Sequence, residues 1–419
     1  MYDFSTIGAL LGMALAIVLI IRKFHPAYSL IIGALVGGII GSYGNLNLTV
    51  STMMGGAGSM ITSVLRIMTS GILAGALIKS GAAEKIAQVI VSKLGSKRAL
   101  LAVAVATMII CAVGVFIDIS VITVAPIALA IGKEAGYNKQ SLLLAMIGGG
   151  KAGNIISPNP NTIAVSESFG VDLTSLMLKN LIPAICALVV TVILANYLSG
   201  RDGIKVMDSD IEESDSKELP AFWQAFLGPL VVIALLALRP IAGITVDPMI
   251  ALPIGGLICA VATGNIKSFG KFSEFGLSKV TGVSVLLLGT GTIAGIIKAS
   301  ALQGDVVNLL NVFNMPAFLL APIAGILMAG ATASTTAGAT VAAQTFSEVL
   351  ITEGVNPLSA GAMIHAGATV VDSLPHGSFF HATGGAVNMN ISERMKLIAF
   401  EAIVGLTSTI VAVLMFVLV

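Results

Sequence analysis

Hydrophobic residues in this chain come in long unbroken runs, not in stripes along one helical face. A helix needs about 20 predominantly apolar residues to cross the hydrocarbon layer of a membrane. Runs of that kind are Phe4–Ile21, Ala27–Tyr43, Ile61–Ser80, Leu181–Leu198, Ala221–Leu238, Pro248–Thr263, Val280–Ala299 and Leu397–Val419. Two further stretches, Leu100–Gly132 and Ala317–Leu350, are too long for one span and turn polar or Gly-rich at their centres, near Gly114–Ser120 and Gly330–Gly338. This pattern predicts re-entrant hairpins at about 100–132 and 317–350. Ser141–Gly170 and Ser359–Gly385 are apolar but interrupted by Pro, Asn, Asp and Gly, which predicts broken helices at about 141–170 and 359–385. The first run has no basic stretch before it and no A-x-A site after it, so it reads as a span and not as a signal peptide.

The pattern also repeats. GILAGALIKS at Gly71–Ser80 aligns with GTIAGIIKAS at Gly291–Ser300, and Asn138–Pro160 aligns with Asn356–Ser378. Both halves run through three spans, a short amphipathic piece (Ala82–Leu94 and Leu302–Val312), a hairpin, a broken helix and a final span. Five crossings per half is an odd number, so the second half is inverted relative to the first. The expected fold is an all-α polytopic membrane protein of two inverted repeats, each with five transmembrane helices plus a re-entrant hairpin and one broken helix. The repeats are expected at 1–199 and 221–419, joined by a polar linker at 200–220. Inverted repeats with broken helices meeting near the midplane are an architecture of secondary transporters.

Composition agrees with a membrane protein: 56% of the 419 residues are hydrophobic and only 10% are charged. A net charge of +1 and an aromatic share of 5% give no basic groove or stacking platform, so nucleic acid is not an expected partner. Cys111, Cys186 and Cys259 are isolated in apolar runs, without metal-ligand or disulfide spacing. No Walker A motif or catalytic triad spacing occurs, so neither an ATP-driven pump nor an enzyme is expected, and no cofactor or metal either. Placing the 22 Lys and Arg residues on this layout puts 17 of them, including Arg22, Lys97, Lys133, Lys217, Lys279 and Arg394, on the cytoplasmic side. Lys179, Arg239 and Lys298 fall outside, and Arg66 and Lys151 lie within membrane segments. Such an asymmetry is strongly positive-inside and predicts a cytoplasmic linker in a multi-pass protein of the cell (inner, cytoplasmic) membrane.

Chemistry is expected at the two hairpin tips and the two breaks, because backbone freed from helical bonding is tolerated at membrane depth only inside protein or beside water. Pro158, Pro160 and Pro375 prevent helix continuation there. The N–H end of each new helix suits a carboxylate. Ser157, Asn159, Asn161, Thr162, Ser334, Thr335, Thr336, Ser373, His376 and Ser378 are the candidate substrate-binding residues. Intramembrane ionisable residues are costly and usually functional. Asp118, Asp372 and Lys151 are therefore candidate coupling residues, with Asp118 or Asp372, or His376 acting with it, taking up a proton. Lys151 could instead neutralise one of the carboxylates, and Arg66 is expected to pair or snorkel.

At these segments the chain resembles the gluconate permease (gluconate:proton symporter, GntP-type) family of the ion-transporter superfamily. The resemblance rests on GVFIDISVITVAP around Asp118, NIISPNPNTIAV at Asn154–Val165 and SFFHATGGAVNMNISERMKLIAFEAIVGL near the C-terminus. The first break lacks the family's His, and the acidic tip residue is Asp where the family has Glu. The resemblance implies uptake of a small hydroxy-carboxylate of the gluconate or glycerate type, usually with H⁺, by a homodimer with a scaffold and a moving transport part. The runner-up is a Na⁺/H⁺ or other cation antiporter, or a Na⁺-coupled carboxylate symporter. An antiporter would need the broken helices and buried acids but not the hydroxyls and amides gathered around them.

Overall fold

The computed structural model describes residues 3–95, 98–211, 218–312 and 315–418. The middle of the linker, 212–217, together with Lys97 lies outside the described residues. The described residues are nearly all helical and contain no β-strand. The N-terminal half runs α1 (Thr6–Ile21), α2 (Pro26–Gly41), α3 (Leu46–Gly58), α4 (Ile61–Lys79), α5 (Ala82–Leu94), α6 (Ala99–Ala112), α7 (Ile117–Ala135), α8 (Lys139–Asn154), α9 (Pro160–Phe169), α10 (Leu173–Lys179) and α11 (Leu181–Ser199). The C-terminal half runs α12 (Phe222–Ala242), α13 (Pro248–Ala262), α14 (Phe269–Lys298), α15 (Leu302–Val312), α16 (Leu320–Thr332), α17 (Thr335–Thr352), α18 (Pro357–Gly367), α19 (Ser378–Ala386), α20 (Ile391–Met395) and α21 (Ile398–Val417). The order of elements recurs, with the single helix α14 standing where the first half has α3 and α4.

Two groups of helices form. In the first, α1 packs on α2, α12 on α13, and α14 lies against α2, α3 and α4. Small residues bring these backbones close: a Cβ on Gly12 would lie 2.5 Å from the Gly33 carbonyl oxygen. Close approach of this kind drives helix association where lipid removes the hydrophobic incentive. In the second group, α8 is wedged between α6, α7 and α11, α18 lies between α16, α17 and α21, and α11 meets α21. In α8 every residue but Gln140 is buried. Among the described residues five helices are long and apolar enough to cross a membrane, and α1, α2, α6, α13 and the segment Ala317–Thr332 are shorter apolar helices.

Several expected boundaries shift. The expected span Ile61–Ser80 is only the second part of an element that begins with α3 and bends at Ser59 and Met60, after a Gly-rich stretch with poor helix propensity. The expected span Val280–Ala299 begins eleven residues earlier, at Phe269, so Lys279 lies inside α14 and not at its edge. The second break opens at Ala368, earlier than Asp372, because α18 stops at Gly367. The freed Thr369 carbonyl is taken up by Lys151. The amphipathic pieces α5 and α15 fall where the sequence puts them.

Candidate functional site

The hairpin tips and helix breaks meet around one cavity of about 290 Å³. Its walls are the first tip (Phe116 to Ile119), the second tip (Ala333 to Thr336), Asn154, Asn159 and Asn161 from the first break, and Asp372, Ser378 and Phe379 from the second. The remaining wall is α14, through Lys279, Gly282, Val283 and Leu286. The volume is at the small end for a ligand site and suits a compact metabolite.

Local sequence explains each wall. The first hairpin turns at Gly114, whose φ of +109° is open to glycine and strained for other residues. Helix α7 then starts at Ile117 without a side-chain cap, which leaves its first N–H groups beside Asp118. The second hairpin turns at Ala333 and Ser334, and the Ser334 hydroxyl accepts from the Ala337 N–H to cap α17. At the first break Asn159 caps α9, its Oδ1 accepting from the N–H groups of Asn161 and Thr162 at 3.0 and 3.1 Å. At the second break α19 begins at Ser378 behind Gly377, with no side-chain cap. The uncapped starts of α7 and α19 therefore present positive dipole ends at the cavity.

The ionisable residues separate into three kinds. Lys151 and Asp372 form an ion pair at 2.7 Å, with both side chains only 2% exposed. Lys151 also donates to the Thr369 carbonyl at 2.6 Å, while Asp372 accepts from Ser373 at 3.0 Å and from Thr335 at 2.5 Å. Asp118, in contrast, lines the cavity with no salt-bridge partner among the described residues. Arg394 and Glu401 form a second buried pair, with side chains 1% and 0% exposed, and Arg394 donates further to Thr383.

Of the sequence-derived candidates, Asp118, Asn159, Asn161, Ser334, Thr335, Thr336, Asp372 and Ser378 border the cavity. Thr336 on the second tip donates to Asn161 on the first break at 2.5 Å, so the two halves touch through candidate residues. Lys151, Ser157, Thr162, Ser373 and His376 do not line the cavity. Thr162 donates to the Ser157 carbonyl at 2.6 Å, Ser373 donates to Asp372, and His376 sits 3.3 Å from the Ala331 carbonyl. Sequence reasoning passed over Lys279, Asn154 and the Arg394–Glu401 pair. Lys279 resembles a flanking charge until α14 is seen to begin ten residues before it. Arg394 sits in the polar run Ser392–Lys396, which reads as solvated, yet α20 turns it inward to 0% exposure.

A smaller cavity of about 100 Å³ holds Arg66, which pairs with Glu167 at the end of α9 and with Asp247 before α13. Arg239 of α12 pairs with Asp172 at 2.5 Å. These contacts join the two helix groups. Burial pushes the Asp247 carboxyl up, but the Arg66 hydrogen bond, the Met249 N–H and the Arg66 charge outweigh it and hold the group below the usual carboxylate range.

The GntP family permease model matches residues 4–419. An uncharacterized transporter of Haemophilus influenzae is 53% identical over 412 residues, covering 98% of this chain and 98% of that protein. The gluconate permease of Pseudomonas aeruginosa is 23% identical over 98% of this chain and 97% of its own length. The D-serine transporter DsdX of Escherichia coli is 22% identical over 78% and 79%. In fold, the crystal structure of the Alcanivorax borkumensis YdaH transporter is similar with a TM-score of 0.66, covering 98% of each chain at 15% identity. The family model spans residues 4–419, and the family and its named relatives are permeases and transporters, not enzymes: this chain belongs to the GntP family of permeases.

Proposed function

We propose that this permease takes up a small hydroxy-carboxylate of the gluconate or glycerate type together with a proton, by alternating access. The observation that carries the reading is the division of labour among the buried acids. Asp372 is neutralised by Lys151 and fully hydrogen-bonded, whereas Asp118 has no salt-bridge partner among the described residues and faces a cavity lined by hydroxyl and amide groups and by Lys279. Asp118 is then the proton carrier, and the Lys151–Asp372 pair is a fixed strut. Ser334, Thr335, Thr336, Asn159, Asn161 and Ser378 orient the polyol hydroxyls and the carboxylate. A bare cation would have little use for that lining, which supports an organic solute over cation antiport. The gluconate permease and D-serine transporter among the relatives handle small hydroxylated acids by name, which supports the same substrate class.

The recurrence of element order supports two repeats divided by the linker, and the one-sided distribution of Lys and Arg supports a cytoplasmic linker in a cell-membrane protein. Helices α1–α4 with α12–α14 form the scaffold and the homodimer surface, and the hairpins and broken helices move past them as a unit in an elevator-like step. The test is reconstitution in liposomes and uptake of labelled gluconate, glycerate, lactate and citrate under an imposed pH or Na⁺ gradient. Accumulation of a hydroxy acid driven by the pH gradient is the expected result. Sodium-driven proton flux with no acid accumulated overturns it.

A further inference from the structure

The wall that α14 gives the central cavity is one helical face. Lys279, Gly282, Val283 and Leu286 line it at spacings of three and four residues, which sets them on the same side of the helix. Gly282 leaves the space beside Lys279 open, since a Cβ built there would have nothing within 4 Å. Lys279 is exposed and forms no ion pair among the described residues. Its ammonium lies over the Phe275 ring, 5.1 Å from the centroid, and Lys79 lies over the same ring at 4.2 Å. An exposed contact of that kind is weak, and two like charges at one ring oppose each other. The flexible four-carbon stem leaves the ammonium able to swing to a stronger partner.

Three lining residues carry charge: Asp118, Asp372 and Lys279. Asp372 is neutralised by Lys151 at 2.7 Å. An ionised Asp118 competes for Lys279, but an Asp118 that holds the transported proton does not. Lys279 is then the wall's one charge without a counter-ion among the described residues, and an acid brings one. The hydroxyls and amides of the remaining lining serve a carboxylate and a neutral carboxamide with similar bonds, whereas a full positive charge separates the two. We infer that Lys279 is the specificity-determining residue for the acid group, its ammonium pairing with the carboxylate of the transported molecule. The inference rests on the hydroxy-acid reading above and adds to it which end of the substrate is recognised, and by what.

Binding is measured calorimetrically on the purified full-length protein in detergent, at about 0.15 M salt so that distant charges are screened. The ligand is whichever of gluconate, glycerate or D-serine binds most tightly, compared with its own carboxamide. Wild type is expected to prefer the acid. Lys279→Met keeps the stem, removes the charge, and is expected to weaken acid binding by about 10–100-fold, the worth of a charge-assisted hydrogen bond. Its carboxamide affinity is expected to change by less than about threefold, so the coupling appears in the ligand's acid group alone. Lys279→Gln carries the same expectation and decides the matter if the Met variant does not fold. Lys79→Met removes the neighbouring charge from a residue that does not line the cavity, and should leave the preference within about threefold of wild type. Equal binding of acid and carboxamide by wild type, equal losses for both in the Lys279 variants, or a preference that those variants keep, overturns the inference and leaves the hydroxy-acid reading standing. A loss of preference in Lys79→Met as large as in Lys279→Met does the same. Failure of wild type to bind any of the three acids overturns both.

Discussion

Replacing Lys151 with Met keeps the length of the side chain and removes its charge and all its donors. Three consequences follow from the structure. The Asp372 carboxylate, 2% exposed, loses its counter-charge at 2.7 Å. The Thr369 carbonyl, freed from α18 by the second break, loses the donor at 2.6 Å. Ser373 and Thr335 still donate to Asp372, so the carboxylate is left solvated by two hydroxyls but uncompensated. Breaking a buried pair by removing one partner costs about 3–5 kcal/mol. Removing both charges is milder, because no uncompensated ion remains. Lys151→Met is therefore expected to destabilise by about 3–5 kcal/mol in mixed-micelle unfolding, and the double variant Lys151→Met/Asp372→Asn to recover at least about 2 kcal/mol of that, a coupling typical of contacting residues. Additive losses, or a Lys151→Met loss below about 1 kcal/mol, would refute the description of this pair as a structural strut.

Arg394→Met leaves Glu401 buried with its side chain 0% exposed and is expected to cost about 3–5 kcal/mol in the same unfolding assay. Gly276→Ala is expected to abolish folded protein in size-exclusion profiles, because the new Cβ would lie 1.8 Å from the Gly71 carbonyl oxygen where α4 and α14 cross, and no side chain can yield. Asp210 docks the linker onto Lys139 at 2.7 Å. Burial raises its carboxyl, but the Lys139 hydrogen bond, the Met207 N–H, the Lys139 charge and Asn388 together hold it below its ordinary range. A depressed folded value means the contribution is complete above the unfolded value, about 3.9, and is lost as pH falls through the folded one. The stability gap between wild type and Asp210→Asn should accordingly stay constant from neutral pH down to about 5 and close only below about pH 4, as followed by thermal unfolding across pH.

The apolar run lengths and the prolines at 158, 160 and 375 make most of the fold legible, because membrane depth leaves few other arrangements for such runs. Boundaries read less well where glycine decides them. The bend between α3 and α4 and the early end of α18 depend on which backbones come close, a tertiary matter. The polar residues of the site are equally visible, but their partners are not. Nothing in the spacing shows that Lys151 takes Asp372 and leaves Asp118 unpaired, since the partners are 221 positions apart. Lys279 and Arg394 mislead because polar flanks suggest solvent, whereas α14 extends past the first and α20 folds the second inward.

The central claim is that Asp118, and not Asp372, carries the coupling proton. Its most direct test is accumulation of the transported acid in proteoliposomes under an inward proton gradient, comparing wild type with Asp118→Asn and measuring substrate exchange without a gradient in parallel. Asp118→Asn should exchange substrate across the membrane yet no longer accumulate it when the gradient is applied. Gradient-driven accumulation by Asp118→Asn at the wild-type level would contradict the account.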